Sequence, residues 1–158
     1  MKNMKRIMLL GLLCAGFGML ALGGFNVCYG ASVIHSGTCL DVDGGRTANG
    51  TVVHIWQCQA GNRNQDWTFD NGRIVWTGTN KCLDVDGGRT ANGTKVQIWD
   101  CQNGNTNQRW SLDTNFPGKI VWMGGKCLDV NAGGTATGTK VQTWDCMAGN
   151  DNQQWIVK

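Results

Sequence analysis

The sequence Cys-Leu-Asp-Val-Asp-Gly-Gly-Arg-Thr-Ala-Asn-Gly-Thr occupies residues 39–51 and returns unchanged at residues 82–94. A looser third copy begins with Cys-Leu-Asp-Val at residues 127–130. Each copy continues through an apolar stretch to a second cysteine and then closes on Gln-x-Trp. The copies are offset by 43 and 45 residues, so the chain consists of three related units of about 43 residues. Self-similarity at such a period is typical of repeat architectures.

Within each copy, short apolar segments alternate with glycine-rich turns. Asn-Gly is the strongest hairpin signal because both residues accept positive φ. This pair occurs at Asn49-Gly50, Asn71-Gly72, Asn92-Gly93 and Asn103-Gly104. All 11 acidic residues are Asp and 24 residues are Gly, a composition that favours turns over helices. About four short strands fit each copy, which predicts an all-β domain of about twelve strands.

Three folds are built from repeated units of about this length. Propeller blades are similar in length, but propellers usually contain four to eight of them. Solenoids have atypical terminal repeats, and neither end of this repeat array is atypical. Three equal units that close on one another therefore predict a β-trefoil, with repeats at about residues 33–75, 76–121 and 122–158. The periodic Trp residues are expected to meet near its axis.

The cysteines follow the same repeat. Beyond residue 31 there are six of them, in three pairs that are each 19 residues apart. Only pairing within each copy respects the repeat, and it gives Cys39–Cys58, Cys82–Cys101 and Cys127–Cys146. A disulfide that closes such a loop contributes about 3 kcal/mol in the chain-entropy model. No metal site is predicted, because the chain has no Cys-x-x-Cys pair and only two His.

Residues 1–31 differ in kind from the rest of the chain. Lys2, Lys5 and Arg6 precede an uncharged apolar run at residues 7–25, and small residues follow. This order predicts a signal peptide. An uncleaved membrane anchor stays open as an alternative, because the apolar run is 19 residues long. Either way, residues 32–158 are expected outside the cytoplasm, secreted and without membrane insertion unless the leader is retained.

Charge and composition argue against two classes of function. Three of the 14 basic side chains lie in the leader, so the remainder carries 11 basic and 11 acidic side chains. A chain without a basic face is not expected to bind nucleic acid. The remainder also has no Glu or Tyr, and its only His residues are His35 and His54. Asp pairs could hydrolyse a glycoside, but the repeat places matching Asp residues in separate lobes. We therefore predict neither an enzyme nor a cofactor.

The full pattern is Cys-Leu-Asp-Val, an apolar strand that ends in Trp-x-Cys, and Asn-Gln-x-Trp, repeated three times. It closely resembles the ricin B-type lectins and the family 13 carbohydrate-binding modules. The resemblance covers the chain from Val33 to Lys158. It implies a β-trefoil with up to three shallow sugar sites, one in each copy.

The resemblance also implies which side chains form each site. The first is the Asp that lies two residues after the first Cys. The second is an aromatic residue two positions before the second Cys, and the third is a polar residue two positions before that aromatic residue. The Asn-Gln pair completes the set. A Trp face suits the C–H face of a sugar, while carboxylate and amide groups suit its hydroxyls. The matching residues are Asp41, His54, Trp56, Asn64 and Gln65 in copy one, Asp84, Gln97, Trp99, Asn107 and Gln108 in copy two, and Asp129, Gln142, Trp144, Asn152 and Gln153 in copy three.

Structural roles compete with these functional ones. Each Asp could be a turn residue, and each Gln could bond buried backbone instead of sugar. His54 could bind sugar, add pH sensitivity or be a tolerated change. The Trp residues expected in the core rather than in a site are Trp67, Trp76, Trp110, Trp122 and Trp155.

These observations predict a lectin for galactose-type glycans or xylan-like polysaccharide. The alternative is a protein-binding trefoil, an inhibitor or interaction module without sugar affinity. Copy two matches the family pattern best. Copy three has Asn-Ala-Gly-Gly-Thr at residues 131–135, which is expected to change what its first loop contacts.

Overall fold

The computed structural model describes residues 30–113 and 118–158, which form short β-strands joined by turns of 3-10 helix. The predicted leader lies outside these residues except for Gly30 and Ala31, and it stays a prediction. The strands are β1 (Val33–His35), β2 (Thr38–Val42), β3 (Val53–Gln57), β4 (Trp67–Asp70), β5 (Arg73–Trp76), β6 (Lys81–Val85), β7 (Thr94–Asp100), β8 (Trp110–Leu112), β9 (Ile120–Trp122), β10 (Lys126–Val130), β11 (Val141–Asp145) and β12 (Ile156–Val157). The 3-10 turns are Asp43–Gly45, Arg63–Gln65, Asp86–Gly88, Thr106–Gln108, Asn131–Gly133 and Asp151–Gln153.

The strands pair in antiparallel fashion in two sheets. One sheet has the order β12-β1-β2-β3, and the other has the order β4-β5-β6-β7-β11-β10-β9-β8. Each copy contributes four successive strands, and the pairing of β1 with β12 joins the two ends of the domain. The predictions of an all-β chain and of a threefold β-trefoil are confirmed. Within the described ranges, no helix is long and apolar enough to cross a membrane.

A central hairpin in each copy positions the candidate site. In copy one this hairpin is β2–β3, where Leu40 pairs with Ile55 and Asp41 pairs with His54. Side chains alternate across a strand, so neighbouring pairs point to opposite faces. Leu40 and Ile55 are fully buried in the hydrophobic core. The opposite face therefore carries Asp41 and His54, and β6–β7 and β10–β11 repeat this register.

The Trp of each Gln-x-Trp anchors the core. Trp67, Trp110 and Trp155 are 0%, 6% and 1% exposed. Their indole N–H groups donate to the carbonyls of Leu40, Leu83 and Leu128 at 3.0, 2.9 and 2.9 Å. A buried indole needs such a partner. Trp76 and Trp122 are also buried and donate to the carbonyls of Arg63 and Thr106. The prediction that these five Trp residues lie in the core is confirmed.

His35 occupies the place in copy one that Trp76 and Trp122 occupy in the others. It ends β1 as the two Trp residues end β5 and β9. Its ring is buried, and Nδ1 lies 3.1 Å from the carbonyl of Gln154. Because a carbonyl only accepts, Nδ1 carries the hydrogen. His35 is therefore a core residue.

The three expected disulfides are present. They join Cys39 to Cys58, Cys82 to Cys101 and Cys127 to Cys146, with Cα–Cα distances of 5.0, 5.0 and 5.1 Å. Each one links the first strand of a central hairpin to the residue that follows its second strand. The disulfides therefore close the hairpins that carry the candidate sites.

Polar bridges join copy one to copy two and copy two to copy three. Asn49 Oδ1 accepts from Lys81 Nζ at 2.7 Å and from the Asp100 N–H at 2.9 Å, and its Nδ2 donates to Asp100 Oδ2 at 2.8 Å. The hydrogen bond from Lys81 is the main reason that the pKa of Asp100 lies below its ordinary value. Asn92 makes the same bridge to Lys126 and Asp145.

The joint between copy three and copy one differs. Thr137, Thr38 and Gln57 stand where the other joints have Asn, Lys and Asp. Main-chain hydrogen bonds remain, from Gly138 N–H to the Ile55 carbonyl at 2.8 Å and from Ile55 N–H to the Thr139 carbonyl at 2.9 Å. This joint, at which β1 also pairs with β12, is thus held without the polar bridge of the other two.

Thr143 carries a buried hydroxyl, which gives a stability prediction. Its side chain is 0% exposed, and its Oγ1 has no hydrogen-bond partner among the described residues. Ile55 and Ile98 take the same place in the other copies. We expect Thr143→Ile to raise the free energy of unfolding by about 1–2 kcal/mol, because it removes an unpaired hydroxyl and adds apolar burial. Urea denaturation measures this change.

A matched control for this prediction is Thr94→Val. The hydroxyl of Thr94 donates to the Ala91 carbonyl at 2.6 Å, so its removal should lower the stability. A loss of stability in Thr143→Ile would contradict the expectation.

Candidate functional site

A buried carboxylate lies at the centre of each candidate site. Asp41, Asp84 and Asp129 are each 3% exposed. In copy one, His54 Nε2 donates to Asp41 Oδ1 at 3.2 Å, and Gln65 Nε2 donates to Asp41 Oδ2 at 2.9 Å. His54 is therefore fixed by the hairpin register and Gln65 by the turn before β4.

The other two copies repeat this arrangement. Gln97 and Gln108 donate to Asp84 at 3.2 and 3.1 Å. Gln142 and Gln153 donate to Asp129 at 3.0 and 3.1 Å. Each oxygen thus accepts one hydrogen bond from these protein amides or from His54. An ionised carboxylate has about four acceptor positions, so Asp84 keeps two of them for ligand hydroxyls. Asp41 and Asp129 each accept one further, longer hydrogen bond from an Asn side chain and keep at least one position.

The Gln of each Gln-x-Trp is occupied by the protein itself. Gln65, Gln108 and Gln153 are 2%, 0% and 0% exposed. Besides the Asp, each Nε2 donates to a main-chain carbonyl at 2.8–2.9 Å, and each Oε1 accepts a main-chain N–H at 2.9–3.0 Å. These three side chains lie behind the carboxylates. The geometry gives them a role in positioning Asp.

Two of the carboxylates lie beside surface grooves of about 300 Å³ each. The first groove is lined by Asp41, Asp43, Gly44, His54, Trp56, Gln59, Asn62 and Asn64. The third is lined by Asp129, Asn131, Ala132, Gln142, Trp144, Met147, Asn150 and Asn152. The structure therefore brings the predicted Asp, ring, hairpin residue and Asn together in both copies, with only the Gln set back.

The groove Trp residues are more exposed than the core Trp residues. Trp56 and Trp99 are 38% and 36% exposed, and Trp144 is half-buried. In copy one, His54 also stacks on Trp56, with ring centroids 5.3 Å apart and planes at 25°. An indole held beside a carboxylate in this way presents a flat apolar surface to a ligand.

The Asn of each Asn-Gln pair packs beneath the first loop of its copy. A Cβ on Gly45 would lie 2.7 Å from Asn64 Oδ1, and one on Gly133 would lie 2.6 Å from Asn152 Oδ1. Asn107 approaches Gly88 in the same way. These glycines also have φ near +62°, where other residues are disfavoured. The close approach explains the Gly at the third position of each of these 3-10 turns.

The Trp beside each carboxylate lies near a turn of the preceding copy. A methyl group on Gly50 would lie 3.9 Å from Trp99 Cζ3, and one on Gly93 would lie 3.8 Å from Trp144 Cζ3. For Gly138, the distance to Trp56 Cζ3 would be 3.6 Å. The turn of one copy therefore supports the Trp of the next.

Sequence reasoning missed a second Asn in each copy. Asn62 and Asn150 line the grooves, and their Nδ2 groups lie 3.4 and 3.5 Å from the carboxylates of Asp41 and Asp129. Their side-chain oxygens also cap the following 3-10 turns by accepting from the N–H of Asn64 and Asn152. The available signal was spacing, because an Asn stands three residues before the Gln in every copy.

Burial raises the pKa of Asp84 above its ordinary value of 3.8. The hydrogen bonds from Gln97 and Gln108 act in the opposite direction but do not cancel this effect. As for metals, the described residues contain no group of three or more His, Cys, Asp or Glu side chains that could hold an ion.

Comparison with known proteins identifies the family and agrees with the fold. Residues 31–155 match the model of the ricin-type β-trefoil lectin domain. Among curated protein sequences, no significant match was found. A designed 3-fold symmetric protein, ThreeFoil, is 33% identical, with a TM-score of 0.71, over 82% of this chain and 96% of that chain.

Two natural proteins are also similar in structure. The exo-β-1,3-galactanase 1,3Gal43A from Clostridium thermocellum is 27% identical over 85% of this chain, with a TM-score of 0.73, and the match spans 31% of the enzyme's length. The C-half of an earthworm R-type lectin in complex with GalNAc is 22% identical over 82% of this chain and 98% of that one, with a TM-score of 0.66; this match shows the fold. Because the family model covers most of the sequence and the topology agrees, the chain belongs to the family of ricin-type β-trefoil lectin domains.

Proposed function

We propose that the protein is a secreted lectin that binds galactose-type glycans through up to three shallow sites. Membership of a lectin family supports carbohydrate binding in general. The observation that carries the proposal is a buried carboxylate with free acceptor positions beside a partly exposed Trp, as in the groove of Asp41 and Trp56. The three disulfides are consistent with an extracellular protein. We propose binding without catalysis.

The single Trp in each groove favours a galactose-type end over a xylan chain. The axial 4-hydroxyl of galactose leaves a continuous C–H patch on one face of the ring, and that patch can stack on one indole. The 3- and 4-hydroxyls lie at the adjacent edge, where one carboxylate can accept from both. Xylose has equatorial hydroxyls and two similar faces, so one indole does not distinguish between them. Similarity to an enzyme named as a galactanase also supports this choice.

Repetition compensates for the shallowness of the sites. A site of this kind is expected to bind one sugar with a Kd of about 1 mM. Engagement of two or three sites by one branched glycan or polymer can raise the apparent affinity by about 10² where the spacing permits. We therefore expect multivalent glycans to bind far more tightly than the free monosaccharide.

A glycan array tests the proposal directly. The oxidised protein should bind galactosides, and this binding should be lost when Asp41, Asp84 and Asp129 are changed to Ala. Because those side chains are buried, a second variant with Trp56, Trp99 and Trp144 changed to Ala tests the same sites through more exposed positions. Binding of xylo-oligosaccharides alone would replace galactosides as the ligand class. A blank array from folded protein would favour a protein partner.

Binding at the second site should be sensitive to acid. Protonation of Asp84 removes the charge and turns one carboxylate oxygen from an acceptor into a donor, which weakens its hydrogen bonds to ligand hydroxyls. Its raised pKa places this change above pH 3.8. We expect galactoside affinity at this site to fall as the pH decreases through that pKa. NMR titration of the Trp99 indole signal measures this fall.

The sign of the linkage separates this effect from acid unfolding. Since the pKa of Asp84 is higher in the folded chain than its ordinary value, protonation of this group favours the folded state. The affinity should therefore fall while the near-UV signal of the core Trp residues persists. An affinity at the second site that stays constant through this pH range would contradict a role for the Asp84 carboxylate.

A further inference from the structure

The third groove differs chemically from the first, although the two share their central residues. Both have the buried Asp, the Trp and two Asn residues, and both measure about 300 Å³. Three lining positions of copy three depart from both other copies. Asn131, Ala132 and Met147 replace an Asp, a Gly and a Gln. These replacements change the charge, shape and hydrogen bonding of the groove lining.

The first loop of copy three has lost an ion pair. In copy two, Arg89 donates to Asp86 at 2.8 Å, and Arg46 pairs with Asp43 in copy one. Copy three has Asn131 and Gly134 at those positions. A neutral group of a ligand can therefore approach this loop without breaking an Arg–Asp ion pair.

Ala132 places a methyl group on the groove at a backbone position that suits glycine. Its φ and ψ are 54° and 19°, whereas Gly44 and Gly87 have φ of 62° at the same place. An L-residue is disfavoured in this region of φ. The backbone conformation therefore does not explain why Ala replaces Gly at this position. Its methyl group adds apolar surface to the lining of the third groove.

Met147 adds more apolar surface and changes a hydrogen bond. In copy one, Asn62 Nδ2 donates to Gln59 Oε1 at 3.1 Å, and in copy two Asn105 Nδ2 donates to Gln102 Oε1 at 3.0 Å. Met147 is 45% exposed and provides no such amide oxygen. Among the described residues, the only hydrogen-bond acceptor for Asn150 Nδ2 is Asp129 Oδ2, at 3.5 Å. Since an amide nitrogen has two hydrogens, Asn150 can donate to a ligand.

A hydrogen-bond donor beside two apolar side chains matches an acetyl group. Its carbonyl oxygen can accept from Asn150 Nδ2, and its methyl group can contact Met147 and Ala132. We propose that the third groove selects sugars that carry an acetyl group, while the first two bind sugars with free hydroxyls. This inference rests on the proposed function, because it requires the Asp129–Trp144 frame to hold a sugar ring.

NMR titration of the folded, oxidised chain tests the inference site by site. The indole signals of Trp56, Trp99 and Trp144, assigned with single Trp→Phe variants, report the three grooves separately. The ligands are methyl galactoside, its N-acetylamino analogue and its O-acetyl ester. We expect Trp144 to respond to acetylated sugar at about tenfold lower concentration than to methyl galactoside, from one methyl contact and one hydrogen bond. Trp56 and Trp99 should show no such preference. The two acetylated ligands show whether the acetyl group is recognised as an amide or as an ester.

A swap between copies provides the matched control. Ala132→Gly with Met147→Gln gives copy three the residues of copies one and two at these two positions. It should remove the acetyl preference at Trp144, and the responses of Trp56 and Trp99, in the unchanged copies, are the reference. Equal responses of Trp144 to plain and acetylated sugars, or a preference that survives the swap, would overturn the inference alone. Absence of any response at all three rings would overturn the proposed function and this inference with it.

Discussion

Reduction of the three disulfides is expected to unfold the protein at ambient temperature. Each bond closes a loop with a sequence separation of 19, which corresponds to about 3 kcal/mol in the chain-entropy model. Three such contributions approach the whole stability of a typical domain, about 5–15 kcal/mol. Urea denaturation of the oxidised chain and of the reduced, alkylated chain measures the difference. We expect the reduced chain to lack the near-UV signal of its buried Trp residues.

Removal of one disulfide at a time separates the contributions. Cys82→Ala with Cys101→Ala should lower the free energy of unfolding by about 3 kcal/mol and leave a folded chain at ambient temperature. A reduced, alkylated chain that keeps its near-UV signal and loses less stability than this would show that the apolar core alone maintains the trefoil.

The second large effect is expected for Trp67→Ala. Trp67 is fully buried, and its indole N–H donates to the Leu40 carbonyl at 3.0 Å. Loss of a buried Trp typically costs about 3–5 kcal/mol, and the carbonyl left without a partner adds to this. We expect the variant to be close to unfolded at ambient temperature, as measured by thermal and urea denaturation.

Trp99→Ala is the control for this experiment, because the same side chain is removed from a groove instead of the core. Trp99 is 36% exposed, so we expect a clearly smaller stability loss than for Trp67→Ala, together with loss of galactoside binding at the second site. A similar loss of stability in both variants would contradict the division between core Trp and groove Trp.

Repetition explains why much of the fold could be predicted from the sequence. A single Cys pair or Gln-x-Trp is ambiguous, but three copies at one spacing restrict the disulfides and the strand order together. The core Trp residues were predictable because Gln-x-Trp recurs at the end of each copy. The all-β trefoil follows from three equal units that must close on one another.

The details of the sites were less predictable, because they depend on the direction in which each side chain points and on contacts between copies. Spacing places Gln65 near Asp41 but does not indicate that its amide faces buried backbone. Gly50 lies near Trp99 and donates its N–H to the Ile98 carbonyl, and this contact between two copies does not follow from the spacing within one copy. Asn62 stood in the repeat, yet its role became visible only through its contacts with the carboxylate and the following turn.

The joint without a polar bridge has a consequence for the first groove. Gly138, on the last copy, lies near Trp56 on the first and donates its N–H to the Ile55 carbonyl, so copy three helps to hold the strand that carries this Trp. A ligand that binds only the closed form stabilises that form by mass action. Sugar bound in the first groove should therefore stabilise the closed arrangement of the three copies. Occupancy there should slow the opening of the β1–β12 pair, whereas sugar in the other two copies should not.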